Sequence, residues 1–402
     1  MKVQPSPTSP KVRVDEDKSS PSRWRRILVV SILSGMIGGV LALALLRVAL
    51  TYYSSSPFLK FFRLPQETEV RIIQETKTVA EEQSELRDLR ERVLPQTLAL
   101  FTRKNTGQIQ DVFTAENFLG YAVIVTSDGL ALTHSGVIQD PVAPLVAVTH
   151  DHRQFDVKDV SRDPASRFIF FSIDASDLSV AQFGNPEDET LGSTVFLVSH
   201  SGLAKNGAIL PTALQGQYVT IPSSFQDALL TAEDLRGEFM ISTPFTSSLN
   251  GAPISTADGK ILGLSTSGES ALARGIPVSH VLPIFDNVIQ GKSIERPRLG
   301  VQYIDLAQAL NIPDTLRDGR TSGALLVRTA EHPAVITGGP ADRAGLQEGD
   351  ILLAVDGVSL SGRVRLQDEI QKHRAGDTLQ ISYVRDGLSK EGTVTLDMRE
   401  PL

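Results

Sequence analysis

Cysteine is absent from all 402 residues. Without it there is no disulfide framework, no thiol nucleophile, no thiolate zinc ribbon and no iron–sulfur cluster. Glycine (31) and proline (22) stay at ordinary levels, which excludes a collagen-like or low-complexity fibre. An excess of positive charge is missing too: the net charge is −8, a sign that disfavours nucleic acid as a partner. What is present is an ordinary folded composition, 41% hydrophobic and 21% charged, which argues against disorder throughout. The length allows two or three domains.

The charge is unevenly spread. Residues 1–26 hold seven Lys or Arg against three acids, and the twenty residues Ile27–Leu46 hold no charge at all. A helix of that length rises about 30 Å, enough to cross the hydrocarbon core of a bilayer. Arg23, Arg25 and Arg26 precede it, and only Arg47 follows closely. The expectation is a basic cytoplasmic tail over 1–26 and a transmembrane signal anchor over 27–50. The chain would be a single-pass inner (cytoplasmic) membrane protein with its bulk periplasmic or otherwise extracytoplasmic. A cleaved signal peptide competes, but its apolar core runs only about 7–15 residues, and Ala44-Leu45-Leu46 gives no small-x-small cleavage site.

A linker helix is expected over 66–94, a stretch rich in Glu, Gln, Arg and Leu that Pro95 stops. Ile72, Val79, Leu86 and Val93 recur every seventh residue, but the companion seam Glu75, Glu82, Leu89 is poor. A lone helix packing one stripe on a neighbour fits this as well as a coiled coil does.

From about residue 95 to 292 the pattern changes to short runs of period two. Tyr121–Val125 and Leu130–Leu132 flank the turn Ser127-Asp128-Gly129, and Phe168–Phe171, Thr194–Val198, Gln217–Ile221 and Ile261–Leu264 read as further strands. Many short strands with few helical segments imply a mainly β sandwich or barrel. His150 and His152 form an H-x-H pair in a turn; with no third ligand nearby they read as solvated residues, and no metal or cofactor is expected.

Three stretches in this region carry a resemblance. Ala122–Ile138 (AVIVTSDGLALTHSGVI), Asp163–Asp174 (DPASRFIFFSID) and Leu249–Thr266 (LNGAPISTADGKILGLST) resemble, in order and spacing, the segments that hold the catalytic histidine, aspartate and serine of the HtrA/Deg trypsin-like serine proteases. The resemblance implies a chymotrypsin-like double β-barrel. At the matched positions, however, this chain has Gly136 for the histidine, Arg167 for the aspartate and Asn250 for the serine. Acyl transfer by this route needs a hydroxyl nucleophile, an imidazole base and an orienting carboxylate. Glycine supplies no base, the asparagine amide is no nucleophile, and arginine reverses the charge. Loss of a triad as a unit costs on the order of 10⁶ in kcat in a subtilisin-type enzyme.

The oxyanion-hole positions are Ser248 and Asn250, again as the resemblance implies. A dyad shifted to His134 and Ser248 would move each group two residues along its strand, about 6–7 Å, beyond hydrogen-bond reach. His134 reads instead as a surface or turn residue. Arg167 is expected to extend into the volume that Gly136 leaves empty, toward Asn250 or solvent.

A last unit is expected over 297–398. Gly339–Gly357 (GPADRAGLQEGDILLAVDG) and the earlier Arg298-Leu299-Gly300-Val301 resemble the PDZ domain of the same family, an α+β module in which that loop binds a terminal carboxylate. Arg365–His373 fits the helix that walls its peptide groove. Backbone N–H groups of Leu299, Gly300 and Val301 would cradle the carboxylate, Arg298 would add charge, and a sheet edge would add the peptide as a strand.

The reading of the whole is a membrane-anchored HtrA-like pseudoprotease of the cell envelope. It would bind protein C-termini or unfolded polypeptides, and form homo- or hetero-oligomers, trimers by family resemblance, with HtrA-like proteases. Two alternatives stand beside it: a serine endopeptidase of envelope quality control with a rearranged site, and a structural envelope subunit.

Overall fold

A computed structural model describes residues 21–54, 79–103, 113–200, 207–217, 224–267 and 272–399. It falls into two units, 1–76 and 77–402. In the first, one helix (α1) runs Pro21–Ser54. Its stretch Leu28–Ala49 has a mean hydropathy of 2.4, is unburied, and is long and apolar enough to cross a membrane. Residues 1–20 of the expected tail lie outside the described residues.

The second unit opens with α2 (Val79–Val93); residues 66–78 of the expected linker helix lie outside the described residues. α2 buries Leu89 and Val93 against the β domain, beside Val198, Ile261 and Leu264. One stripe on a neighbour is what it forms, and it ends in a tight turn at Leu94–Gln96 that contains Pro95.

Six strands follow: β1 (Thr97–Thr102), β2 (Phe118–Ile124), β3 (Leu130–His134), β4 (Leu145–Thr149), β5 (Gln154–Arg162) and β6 (Phe168–Ile173). They close into a barrel in the order β1-β2-β3-β6-β5-β4. Its interior takes Leu98, Leu100, Ala122, Ile124, Ile169 and Phe171, the alternate-residue pattern of strands that face a core.

The next eight are β7 (Gln182–Phe183), β8 (Thr194–Ser199), β9 (Ala208–Gln217), β10 (Leu229–Thr231), β11 (Phe239–Pro244), β12 (Pro253–Ser255), β13 (Lys260–Thr266) and β14 (Leu272–Pro277). All but β10 form one sheet, β12-β8-β9-β11-β14-β13-β7, and a further β12–β13 pairing closes it into a second barrel. Phe101, Tyr121 and Val148 of the first barrel pack with Leu197, Leu214, Phe239 and Ile254 of the second. Each large side chain buried there contributes about 1.5–3 kcal/mol. The strand expected at Gln217–Ile221 lies earlier, as β9, and residues 218–221 are outside the described residues.

The C-terminal strands are β15 (Pro297–Arg298), β16 (Gln302–Asp305), β17 (Ala324–Leu326), β18 (Ile351–Val355), β19 (Val358–Ser359), β20 (Thr378–Arg385), β21 (Leu388–Thr395) and β22 (Asp397–Met398). The main sheet runs β10-β16-β17-β18-β20-β21. Its first strand is therefore the one that the second barrel omits. The groove helix spans only Leu366–Ile370, shorter than the expected Arg365–His373. The reason is at its C-terminus, where Lys372 and His373 bond three residues back, to Glu369 and Ile370, and tighten the last turn.

Candidate functional site

The three triad positions meet where the barrels meet. β3 ends at His134, paired with Phe168 of β6, and the Ser135 N–H donates to the Arg167 carbonyl at 2.8 Å. That fixes Gly136 beside Arg167. Asn250 arrives from the second barrel: its Nδ2 donates to the Gly136 carbonyl at 2.9 Å and to that of Leu119 at 3.3 Å. Its own carbonyl accepts from Tyr121 N–H at 2.8 Å.

Gly251 lets the chain pass this close. Its φ is +74°, and a Cβ there would lie 2.4 Å from the Tyr121 carbonyl oxygen. Gly251→Ala is expected to cost about 1–3 kcal/mol, the usual scale for strained backbone, read as a lower denaturant midpoint at unchanged slope.

No side chain at position 136 faces Asn250. A Cβ on Gly136 would meet the His134 ring at 2.8 Å and Asn250 Oδ1 at 3.7 Å. His134, read from sequence as a surface or turn residue, is fully buried. The sequence carried a signal for this: Leu132, two residues earlier on the same face of β3, is also fully buried. The imidazole Nδ1 accepts the Gly136 N–H at 3.0 Å, so Nε2 holds the ring proton and meets the Ser265 carbonyl at 3.1 Å. Burial, reinforced by the Arg167 charge, drives its pKa down to about 3. Both nitrogens are committed, and the ring has no free lone pair for a substrate proton.

Arg167 does not enter the space beside Gly136, contrary to the sequence expectation. Its guanidinium pairs with Glu238, whose other oxygen meets Arg274 at 3.2 Å. This carboxylate, just before β11 of the second barrel and largely buried, draws the cation toward it. Asp163, the nearest acid in sequence, is taken by Arg296 Nε at 2.9 Å.

Of the two positions matched to the oxyanion hole, Asn250 has its N–H committed. Asn250 N–H donates to the Ser247 carbonyl at 3.2 Å and Leu249 N–H to that of Thr246 at 2.9 Å. In this tight turn the Asn250 N–H faces the chain's own backbone. Ser248 Oγ is exposed and bonds Thr246 Oγ1 at 2.9 Å, with no imidazole in reach. A cleft of about 580 Å³ survives beside these groups, lined by Phe118, Leu119, Val137, Phe245, Ser248 and Asn250.

In the C-terminal unit, Leu299 and Gly300 direct their N–H groups to one point, with Gly300 at φ +81°. A carboxylate oxygen is already there: Glu233 Oε1 accepts both, at 2.9 and 2.8 Å. Burial pushes the Glu233 carboxyl above its ordinary value, against the opposing pull of these N–H groups and of Arg399. Val301 offers its carbonyl to Ala232 N–H at 3.4 Å. Arg298, expected to add charge to this loop, meets Asp397 at 3.5 Å; the strand pair β15–β22 sets it opposite Asp397. Sequence reasoning missed Glu233 and Arg399, because neither belongs to a local motif.

Comparison with known proteins finds the same two domains. A trypsin-like peptidase domain matches residues 120–264 and a PDZ domain residues 297–396. "Serine protease Do-like HtrA" of Bacillus subtilis is 24% identical over 72% of this chain and 63% of its own length. A "Probable periplasmic serine endoprotease DegP-like" of Marinomonas sp. is 24% identical over 70% of this chain and 57% of its own length. The chain thus spans about three fifths of these relatives. Among solved structures, "HtrA-type protease AlgW with decapeptide" superposes with a TM-score of 0.58 at 19% identity, over 79% of this chain and 99% of that one. The chain belongs to the HtrA/DegP family, with a trypsin-like double-barrel domain followed by a C-terminal PDZ domain.

Proposed function

We propose that this chain is a membrane-anchored pseudoprotease of the cell envelope that binds polypeptides through its PDZ domain and does not cut them. The observation that carries this reading is the double commitment of His134, to Gly136 N–H and to the Ser265 carbonyl. With Gly136 beside it, no imidazole among the described residues lines the cleft to take a proton from a serine. Support for peptide binding comes from the PDZ match and from relatives such as AlgW, solved with a decapeptide and a tripeptide. The unburied apolar helix suits an anchor, and the Lys and Arg clustered before it suit a cytoplasmic N-terminus. Association with HtrA-like proteases, homologous or its own, completes the proposal.

The test is activity-based labelling. The full chain in detergent, treated with a fluorophosphonate, is expected to show no labelled serine above a denatured control, and no cleavage of an unfolded casein. A labelled serine that disappears in Ser248→Ala would establish the rearranged endopeptidase instead.

A further inference from the structure

The PDZ groove is not empty: part of this chain's own second-barrel domain lies in it. β10 pairs antiparallel with β16, Leu229 opposite Ile304, Leu230 opposite Tyr303 and Thr231 opposite Gln302. It is the edge strand of the PDZ sheet. The next residue, Ala232, is fully buried among Leu299, Val301, Leu366 and Ile370, and Leu230 packs against the same cluster. Residues 230 and 232 thus point one way, as alternation in a strand requires. The Ala232 carbonyl accepts Gln371 Nε2 at 3.3 Å. Beyond it the Glu233 carboxylate fills the nest of Leu299 and Gly300 N–H groups, and Arg399 Nη1 holds the Glu233 carbonyl at 2.7 Å.

Those are the three elements of peptide capture by strand addition: a backbone ladder, side chains in pockets at alternate positions, and a carboxylate in a backbone nest. The direction agrees as well. The segment runs toward the loop, so Ala232 stands where the last residue of a bound chain would stand. The side-chain carboxylate of Glu233 stands in for the terminal one.

We propose that Leu229–Glu233 is a built-in occupant of the PDZ groove, and that a partner must displace it. The partner is a polypeptide with a free C-terminal carboxylate, a small apolar last residue in place of Ala232 and an aliphatic residue two positions before it in place of Leu230. The inference rests on the reading of the PDZ domain as a peptide binder. Because the occupant is tethered, it competes at an effective concentration of about the millimolar range. The groove is then available only in the fraction of molecules from which the segment has left, and apparent affinity falls in proportion. Displacement also frees the segment that leads into β11, which begins at Phe239 beside Glu238, the carboxylate that holds Arg167 and Arg274.

The experiment uses the full chain in detergent and a fluorescent hexapeptide of residues 227–232, Asp-Ala-Leu-Leu-Thr-Ala, with a free C-terminal carboxylate. Anisotropy titration is expected to show weak binding to the natural protein and binding at least tenfold tighter to Glu233→Ala; the C-terminal amide of the same peptide is expected to bind neither. Hydrogen exchange on the natural protein at saturating peptide is expected to expose the amides of 229–233 while those of β16 stay protected. This second readout needs no substitution. Equal affinity for both proteins, with 229–233 still protected when peptide is bound, would overturn the displacement while leaving peptide binding intact. Binding to neither protein would overturn the peptide-binding reading, and the displacement with it.

Discussion

Arg296→Ala is expected to lower the unfolding free energy by about 3–5 kcal/mol, the range for removing one partner of a buried ion pair. Arg296 and Asp163 are both fully shielded from water. The pair is bidentate, Nε to Oδ1 at 2.9 Å and Nη2 to Oδ2 at 2.6 Å, and Nη2 also donates to the His280 carbonyl at 2.7 Å. Asp163 accepts the Ala165 N–H at 3.1 Å as well. Alanine would leave this carboxylate buried without its counter-charge. The pair stands just before β15, so it fastens the chain entering the PDZ domain to the first barrel. Urea unfolding of Arg296→Ala against the natural protein measures the effect. Arg296→Lys should fall between them, because a lysine keeps the charge but not the fork. A loss under 1 kcal/mol for the alanine variant would show that water or a new partner replaces the guanidinium.

Acid should destabilise this protein early. Three histidines are held neutral in the fold, chiefly by burial: His134 at about 3, His200 at about 4, and His280 well below its ordinary 6.5. His280 finds no hydrogen-bond partner for either ring nitrogen among the described residues. In the unfolded chain each takes a proton below about pH 6.5. Their contribution is therefore whole above that pH and is lost as pH falls toward the folded values. With three extra protons on the unfolded chain, the slope near pH 5 is about 4 kcal/mol per pH unit. Glu233, Asp305 and Asp368, which burial pushes upward, act in the opposite direction and blunt the slope at its acid end. Denaturant midpoints at half-unit steps from pH 7.5 to 4.5 give the curve. His280→Leu removes one proton and should flatten the slope by about 1.4 kcal/mol per pH unit. A flat curve between pH 6.5 and 5 in the natural protein would mean that these rings reach water.

Much of this architecture was legible in the residues. The uncharged run Ile27–Leu46 and the basic residues before it needed only length and charge. The β domain declared itself through period two and Asp-Gly turns. The PDZ domain followed from one stretch, Gly339–Gly357, whose glycines and apolar residues sit at fixed spacing. Positions 136, 167 and 250 could be proposed because the three stretches Ala122–Ile138, Asp163–Asp174 and Leu249–Thr266 follow the order and spacing of the family's segments. What escaped were contacts between segments far apart in sequence. Nothing around Arg167 announces Glu238, 71 residues on, and nothing around Gly300 announces Glu233, 67 residues back. β10 has only three residues, too few for a period to show. The direction of Arg298 depended on which strand would lie across from it, a choice made by the fold as a whole.

An enzyme's active site is a place of deliberate frustration: polar groups stand unpaired, ready for a substrate, and stability is sacrificed to keep them so. Asn250 marks the reverse. Its side-chain amide reaches two carbonyls of the first barrel, and its carbonyl takes the Tyr121 N–H. Its own N–H closes a local turn. One residue is thereby a suture: three hydrogen bonds through Asn250 tie the second barrel to the first across the seam between them.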